Sequence, residues 1–484
     1  MTTASRRWAL GITLFWVVVA VCLYSTGLSG AYYGDDYLFA AARPIANPLR
    51  HFVDASLLSG WYRPIEAAIL TSIQSAWQLD PRPVHALALF FHLVAIVLVT
   101  GAMRGQGGSR IAVAAAGGVM AISQANAMAV LSIDTLSQLL STLAGFGAVL
   151  IAGRSSPGQP FGRRVMTAVL LLIALFSKES GVAWLPAVLG MIALRRDASS
   201  GTSARDKAWD VVALLAVTAL FFWMRSRTDA PSLAFGNLRY QMQIGANIPA
   251  NFGLLALAAL LPGSNVWFVD AYRAGHTATV ALMIAGAVAL AAWTVLGIAF
   301  STRRLRGFAW LACAALVVGP LLPLNHVSEL YAYAAMPMLA LAFGIAAEGW
   351  QERARGIARP AWIAFMIGLA VSHGAAIVDK AGMMKRNGTE ATRLLPRVEP
   401  WVARVPERGE LRLVQPDSLP RRYSVYRLNG FGPIEYSEQW LRDRHDRPDL
   451  QFEVLTESEA RKRPATVPTV VLEWRDGQVA ERTW

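Results

Sequence analysis

Cysteine and charge are both scarce in this chain of 484 residues. Its two cysteines, Cys22 and Cys313, lie inside apolar runs, which argues against a disulfide framework and a thiolate metal site. Charged residues make up 16% and hydrophobic residues 55% of the chain, whereas soluble domains carry about 25% charged residues. No internal repeat is visible, which speaks against a solenoid. The composition therefore predicts a membrane protein with many spans.

The positive charge of the chain indicates its topology and not a nucleic-acid partner. The net charge is +13 and the pI is about 10.1, but the arginines form short clusters between apolar runs. With Arg6 and Arg7 in the cytoplasm, the basic loops all fall on the same side, as the positive-inside rule requires; these loops are 104–110, 154–164, 195–207, 303–306 and 352–359. We expect a multi-pass protein of the bacterial inner membrane, with a cytoplasmic N-terminus and a periplasmic C-terminal tail.

About eleven apolar runs approach the ~20 residues that a membrane helix needs. They predict an all-α polytopic bundle over residues 1–378. The runs are 8–28, 84–103, 110–128, 131–152, 165–177, 180–194, 208–224, 276–300, 307–322, 330–349 and 361–378. Two outer segments, near 64–79 and 240–261, alternate apolar and polar residues at helical spacing and predict helices in the membrane interface. The second segment could instead be a twelfth, short span.

The composition changes after Asp379. Charged residues become frequent, and Pro, Gly and Asp separate short β-prone runs at 411–414, 423–426, 452–455 and 469–474. We interpret 379–390 as a linker and 391–484 as a small periplasmic α/β domain, which at this length can hold a modest core.

Several polar clusters fall on the predicted outer side. Asp35 and Asp36 follow the first span, and such a pair is either a solvated loop end, a helix cap or part of a site. A carboxylate here can act as a general base toward a hydroxyl, and a nearby cation can hold a phosphate leaving group. The candidate substrate-binding residues on this side are Tyr37, Tyr62, Arg63, His85, Lys178, Glu179, His326, Glu329 and Tyr331.

These candidates also have structural interpretations. Lys178 and Glu179 occupy a tight reversal between two spans and could form an interfacial ion pair. Arg63 opens the helix near 64–79, where it would suit lipid headgroups. Asp35 and Asp36 could hold a divalent cation such as Mg²⁺ or Mn²⁺, although two carboxylates are a weak ligand set by themselves. The cofactor is therefore left open.

The order of these motifs resembles the GT-C integral-membrane glycosyltransferases, most closely the membrane half of the transmembrane and tetratricopeptide-repeat O-mannosyltransferases and their bacterial relatives. The matching segments are Gly34-Asp35-Asp36-Tyr37, Tyr62-Arg63-Pro64, Pro83-Val84-His85 with His92, Phe176-Ser177-Lys178-Glu179-Ser180, and 329–337. The resemblance implies a transferase that takes a sugar from a polyprenyl-phosphate donor on the outer side and passes it to a glycan, lipid or protein. It also implies that Asp35 or Asp36 supplies the base or the group that activates the acceptor.

The chain departs from the family pattern in two places. Residues 123–128 stand where relatives have His-Pro-x-His-x-Glu, so a second acid is missing, and the family's Glu-Arg-Tyr appears as Glu329-Leu330-Tyr331. Two other functions are open. A transporter or flippase of lipid-linked glycans would place its charges near the bilayer midplane between repeats. An inactive relative would use its outer tail as an envelope-assembly module.

Overall fold

The computed structural model describes residues 3–40, 47–55, 61–77, 80–154, 160–195, 204–228, 230, 242–325, 327–354, 358–419, 422–424, 426–475 and 478–482. The first sixteen helices are α1 (Thr3–Tyr24), α2 (Asp36–Ala40), α3 (Pro64–Trp77), α4 (Arg82–Gly105), α5 (Arg110–Ile122), α6 (Ala127–Leu131), α7 (Leu136–Ala152), α8 (Pro160–Ser177), α9 (Trp184–Leu194), α10 (Ala204–Arg225), α11 (Asn247–Leu260), α12 (Asn265–Arg273), α13 (Thr277–Phe300), α14 (Arg304–Val318), α15 (Ala332–Arg353) and α16 (Ala358–Val402). The tail contains β1 (Glu410–Gln415), β2 (Arg422–Ser424), β3 (Arg427–Leu428), α17 (Glu438–His445), β4 (Gln451–Thr456), α18 (Glu457–Lys462), β5 (Thr469–Arg475) and β6 (Gln478–Glu481).

Eight helices within these described residues are long and apolar enough to cross a membrane. The count becomes nine if α5 and the stretch Gln124–Leu131, which bend by 41° at their junction, form one broken span. About eleven spans were predicted, and the difference lies in shorter apolar helices such as Glu179–Leu194 and α11. A helix of 14 residues such as α11 reaches only ~21 Å, less than the ~30 Å hydrocarbon core. The predicted class, a helical membrane bundle with a small C-terminal sheet region, is confirmed.

Helix α15 forms the centre of the bundle. It packs against α5, α13 and α14, and 94% of its apolar span is buried. Small residues allow this close packing, since a Cβ at Gly344 would come within 2.6 Å of the Ala112 carbonyl oxygen. A helix that is apolar on all sides belongs in the core. The first turns of α15, with the preceding Glu329 and Tyr331, are therefore held in a fixed place.

Helix α3 is the amphipathic helix predicted near 64–79, and it turns its polar face toward the protein. Glu66, Thr71 and Gln74 are buried, whereas Trp77 is exposed. The Gln74 side-chain amide donates to the carbonyl oxygen of Phe39 at 2.7 Å. A polar inner face on a short helix is typical of a segment that lines a site. Of the other predicted interfacial segment, residues 240 and 241 lie outside the described residues, and its apolar part forms α11.

Helix α16 corrects the predicted domain boundary. It is continuous over 45 residues and ends at Val402, so 379–390 is not a linker and the compact tail begins after Val402 rather than at 391. Ala381, Met384, Ala391 and Leu394 are buried and recur at helical spacing. The apolar stripe thus continues past the point where charged residues become frequent, and packing along that stripe keeps the helix intact.

The tail folds around a four-stranded sheet in the order β4-β1-β5-β6. The central strand β1 is parallel to β4 and β5, and β6 is antiparallel to β5. The strand runs predicted at 411–414, 452–455 and 469–474 lie in β1, β4 and β5. The tail is attached to the bundle, because the Asn387 side chain on α16 donates to the Tyr426 carbonyl oxygen at 3.0 Å.

Candidate active site

The two adjacent aspartates occupy different environments. Asp36 is 1% exposed, and its Oδ1 accepts the backbone N–H groups of Ile133 and Asp134 at 3.0 and 3.2 Å. Burial, and secondarily the charge of Asp134, raise the pKa of Asp36 well above its usual value. Asp36 thus satisfies the first N–H groups of a short helical turn, Ile133–Thr135, that leads into α7. Asp36 therefore stabilises the turn before α7.

Asp35 instead faces a small pocket. Asp35 is partly exposed, and the pocket has a volume of about 20 Å³, enough for roughly one water molecule. The pocket is lined by Tyr33, Gly34, Asp35, Met128, Ser132, Asp134, Leu428, Gly432, Glu435 and Tyr436. Of the predicted acidic pair, only Asp35 lines this pocket and can approach a ligand there.

Arg63 is the centre of a buried ion cluster. Its Nε donates to Glu179 at 2.9 Å, and its Nη1 lies 3.4 Å from both Glu66 and the Ser137 hydroxyl. The second carboxylate oxygen of Glu66 accepts the Ser137 N–H at 2.7 Å. Burial alone would lower the pKa of Arg63, but the charges of Glu179 and Glu66 outweigh it and raise that pKa. The guanidinium is therefore charged and held by two carboxylates.

Lys178 is the other cation of this cluster. It is 4% exposed, and its ammonium lies 5.7 Å from the centre of the Tyr331 ring, a cation–π contact. Burial and the charge of Arg63 lower the pKa of Lys178 to about 8, although Glu66 acts in the opposite direction. A buried ammonium with a lowered pKa gains from a nearby anion, so Lys178 is suited to hold a phosphate group.

A single short segment connects Asp35 to the two cations. Asp134 lines the Asp35 pocket and also interacts electrostatically with Lys178. Three residues later, Ser137 contacts Arg63 and Glu66. Residues 134–137, at the start of α7, therefore adjoin both a carboxylate pocket and a cationic cluster. The carboxylate can act as a base and the cations can hold a phosphate.

Glu329 belongs to a second polar cluster beside the first. Its carboxylate pairs with Lys380 on α16, with Nζ 2.8 and 3.0 Å from the two oxygens, and it accepts the Tyr426 hydroxyl. Lys380 is completely buried and also donates to the carbonyl and side-chain oxygens of Gln124. These contacts connect three parts of the protein: the start of α15, helix α16 and the tail. Glu329 therefore stabilises their packing.

The other predicted residues are spread over the surroundings. Tyr37 packs edge-on against Trp440 of the tail, with ring centres 6.3 Å apart. The Tyr62 hydroxyl donates to the Phe52 carbonyl oxygen at 3.0 Å. His85 is buried in α4, and neither ring nitrogen has a hydrogen-bond partner among the described residues. His326 lies outside the described residues.

The described residues do not fit a divalent cation. No group of three or more His, Cys, Asp or Glu side chains that could hold a metal ion is found among them. Asp36, one of the two carboxylates considered as ligands, uses Oδ1 for two backbone N–H groups. We therefore derive no catalytic step through a metal.

An apolar cavity of about 600 Å³ lies among the membrane helices. Its walls come from α1, α5, α11, α13, α14, α15 and α16, and include Trp16, Phe252, Leu339, Phe343 and Met366. One end reaches Ser123 and His373, next to the cluster of Lys380 and Glu329, because His373 accepts the N–H of Gln124 at 3.3 Å. A cavity of this size and lining suits a hydrocarbon chain.

Several site residues escaped the sequence analysis. Glu66 lies in the amphipathic helix predicted near 64–79, and its spacing of three from Arg63 was a usable signal. Lys380 lies in the predicted linker. Asp134 is not among the candidates, because it is far from Asp35 in the chain and only the fold brings both into one pocket lining. Nothing in the sequence connects Glu435 to Asp35, since their shared pocket depends on how the tail packs.

No protein-family model matches the chain, and no curated protein does. Among solved structures, it is similar to ArnT from Cupriavidus metallidurans in the apo state, with a TM-score of 0.49, 13% identity and coverage of 97% of this chain and 94% of that one. It is also similar to the Archaeoglobus fulgidus oligosaccharyltransferase in complex with Zn and sulfate, with a TM-score of 0.44, 9% identity and coverage of 93% and 62%.

Proposed function

We propose that this chain is a membrane glycosyltransferase. It moves a sugar from a polyprenyl-phosphate donor to a glycan, lipid or protein acceptor on the periplasmic side of the bacterial inner membrane. One observation carries the proposal: Asp134 lines the pocket of the partly exposed carboxylate Asp35 and also interacts with the buried ammonium of Lys178. The apolar cavity supports a substrate with a hydrocarbon chain.

In this proposal each group has a role in the reaction. Asp35 accepts the proton of the acceptor hydroxyl as its oxygen bonds to the anomeric carbon of the sugar. The bond from that carbon to the phosphate oxygen breaks, and its electron pair leaves with polyprenyl phosphate. Lys178 stabilises the charge on the leaving phosphate. Arg63 is already paired with Glu179 at 2.9 Å, so it positions this region and adds positive potential.

The test is sugar transfer by the purified protein in lipid vesicles. Donors are short-chain polyprenyl-phosphate sugars, and each variant is first checked for folding by its melting temperature. Asp35→Asn should lower transfer by about 10²–10⁴-fold through loss of the base, and Lys178→Met by about 10²–10³-fold through loss of electrostatic stabilisation. Glu390→Gln is the matched control, because Glu390 is an exposed carboxylate of α16 paired only with Arg393 in the described contacts.

One result would reject the assignment of the base, and another would reject the function. Full transfer by Asp35→Asn would show that Asp35 is not the base, and full transfer by Asp36→Asn as well would remove the acidic pair from the chemistry. Movement of lipid-linked glycans across the vesicle membrane without any transfer would identify a flippase instead.

A further inference from the structure

Three arginines converge on the carboxylate of Asp210, at the opposite end of helix α8 from Lys178. The Asp210 Oδ2 atom accepts hydrogen bonds from Arg195 Nη2 at 2.9 Å and from Arg163 Nη2 at 3.3 Å. Its Oδ1 atom accepts a hydrogen bond from Arg164 Nε at 3.0 Å. These four residues, here called the arginine cluster, connect α8, the end of α9 and α10. They lie on the side of the basic loops, which the positive-inside rule predicts to be cytoplasmic.

The arginine cluster carries more positive charge than its carboxylates balance. Asp206 lies 3.9 Å from Arg164, and the Lys207 ammonium donates to the Arg195 carbonyl oxygen at 3.0 Å. These contacts bring four cations and two carboxylates together, which leaves a surplus of two positive charges among the described residues. Arg163 and Arg195 are 7% and 4% exposed, and charges buried this deeply are normally paired. The surplus therefore favours a bound anion.

The guanidinium groups also have unused hydrogen-bond donors. Arg163 Nη1 and Arg195 Nε are buried and have no hydrogen-bond partner in the described part of the chain. Arg164 is the arginine of the cluster that a ligand can reach, because its side chain is 20% exposed. A guanidinium presents five N–H donors in a planar fork, which matches the oxygens of a phosphate group. The ligand chemistry that fits is a phosphate that contacts Arg164, with the deeper arginines adding positive potential.

The surroundings of the arginine cluster suit a lipid headgroup. Phe161 and Val165 on α8 and Trp209 and Val212 on α10 are exposed, and α8 packs against α10. In a bundle that spans a membrane, exposed apolar side chains of this kind face the lipid chains, and tryptophan favours the interface. Arg164 lies in the same first turns of α8 as Phe161 and Val165. A phosphate held at Arg164 would therefore lie at the end of an apolar helix surface that can contact acyl chains.

We propose that the arginine cluster binds the phosphate of an anionic phospholipid, in the leaflet predicted to be cytoplasmic, where the first turns of α8 and α10 meet. Basic pockets between membrane helices on the cytoplasmic side are typical sites for acidic headgroups. The lipid neutralises the surplus charge and, because it binds only the folded protein, stabilises the bundle. This inference does not depend on the proposed glycosyltransferase function.

The test is lipid binding by the purified full-length protein in detergent. Anionic dioleoyl phosphatidylglycerol is compared with zwitterionic dioleoyl phosphatidylcholine by native mass spectrometry and by the shift in melting temperature. We expect phosphatidylglycerol to bind about tenfold or more tightly, since each basic side chain near an anionic headgroup contributes a factor of about five. Inorganic phosphate is the third probe, which distinguishes a lipid headgroup from a free phosphate.

Two variants should change this binding in opposite directions. Arg164→Gln should weaken phosphatidylglycerol binding about fivefold through loss of one positive charge. Asp206→Asn removes a carboxylate beside Arg164 and should strengthen the binding, an effect that a purely structural role of the arginine cluster would not produce. Arg304→Gln is the matched control, because Arg304 is an exposed arginine at the start of α14, on the same predicted side. Melting temperatures without added lipid check that each variant is folded.

Three results would overturn the inference. Equal binding of the two lipids would show that the headgroup charge is not recognised. An equal effect of Arg164→Gln and Arg304→Gln would mean that the anionic lipid does not bind at the arginine cluster. Stabilisation by inorganic phosphate alone, with no further effect of phosphatidylglycerol, would identify the ligand as a free phosphate and not a lipid.

Discussion

Substitutions at Asp36 should damage stability, whereas substitutions at Asp35 should damage only transfer. Asp36 accepts two buried N–H groups, from Ile133 at 3.0 Å and Asp134 at 3.2 Å. Alanine leaves both N–H groups without an acceptor. Each buried donor without an acceptor costs about 1–3 kcal/mol, which gives about 2–6 kcal/mol for the pair. Asp35→Ala removes a partly exposed side chain and should change the free energy of unfolding by about 0.5 kcal/mol or less.

Asparagine at the same two positions makes the comparison sharper. Its side-chain oxygen keeps an acceptor for Ile133 and Asp134, and the raised pKa of Asp36 means that the fold already favours the neutral carboxyl group. Asp36→Asn should therefore cost less than Asp36→Ala and keep transfer activity, while Asp35→Asn should lose it. Because the folded pKa of Asp36 is raised, wild-type stability falls as the pH rises through that pKa. The stability of Asp36→Asn relative to wild type should rise over the same range.

The assay is thermal unfolding of purified variants in one detergent over a pH series, with transfer measured on the same samples. The expected order of melting temperature is wild type and Asp35→Ala highest, Asp36→Asn close to them and Asp36→Ala several degrees lower. A stable Asp36→Ala variant without activity, beside an active Asp35→Asn variant, would show instead that Asp36 is the base and that Asp35 is not.

Three further predictions follow from the ion clusters. Since the phosphate-binding form of Lys178 is protonated and its pKa is about 8, kcat/KM should fall about tenfold per pH unit above that value, and Lys178→Arg should move the fall to higher pH. Lys380→Met leaves Glu329 buried without its partner and should destabilise the fold by about 3–5 kcal/mol, with Glu329→Gln in the same chain restoring part of it in thermal unfolding. Glu66→Ala removes the acceptor of the Ser137 N–H, 2.7 Å away, and should lower both melting temperature and transfer, while Glu66→Gln lowers transfer more than stability.

The fold class could be predicted because apolar length and basic loops act locally along the chain. The spans and the strands β1, β4 and β5 each show a period in their own sequence. The linker prediction at 379–390 was wrong because composition was weighed above periodicity: charged residues increase there, but the buried stripe of Ala381 and Met384 continues. The end of a helix depends on how far one of its faces stays packed against the rest of the protein, and composition alone does not reveal this.

The candidate site also contains residues that the local sequence reveals and residues that it does not. Arg63, Lys178 and Glu179 could be found because each stands at a break in an apolar run, and the structure brings the three together. The different environments of Asp35 and Asp36 could not be read from two identical neighbours, since the difference arises from the distant backbone of Ile133. The partner of Glu329 was hidden for the same reason.

The proposed roles of Asp35 and Lys178 are tested most directly by a structure of the protein in lipid with a non-hydrolysable polyprenyl-phosphate sugar bound. We expect the phosphate within hydrogen-bond distance of Lys178 and the sugar beside Asp35. A phosphate bound next to Lys380 or on the opposite side of the membrane, with no ligand beside Asp35, would contradict these roles.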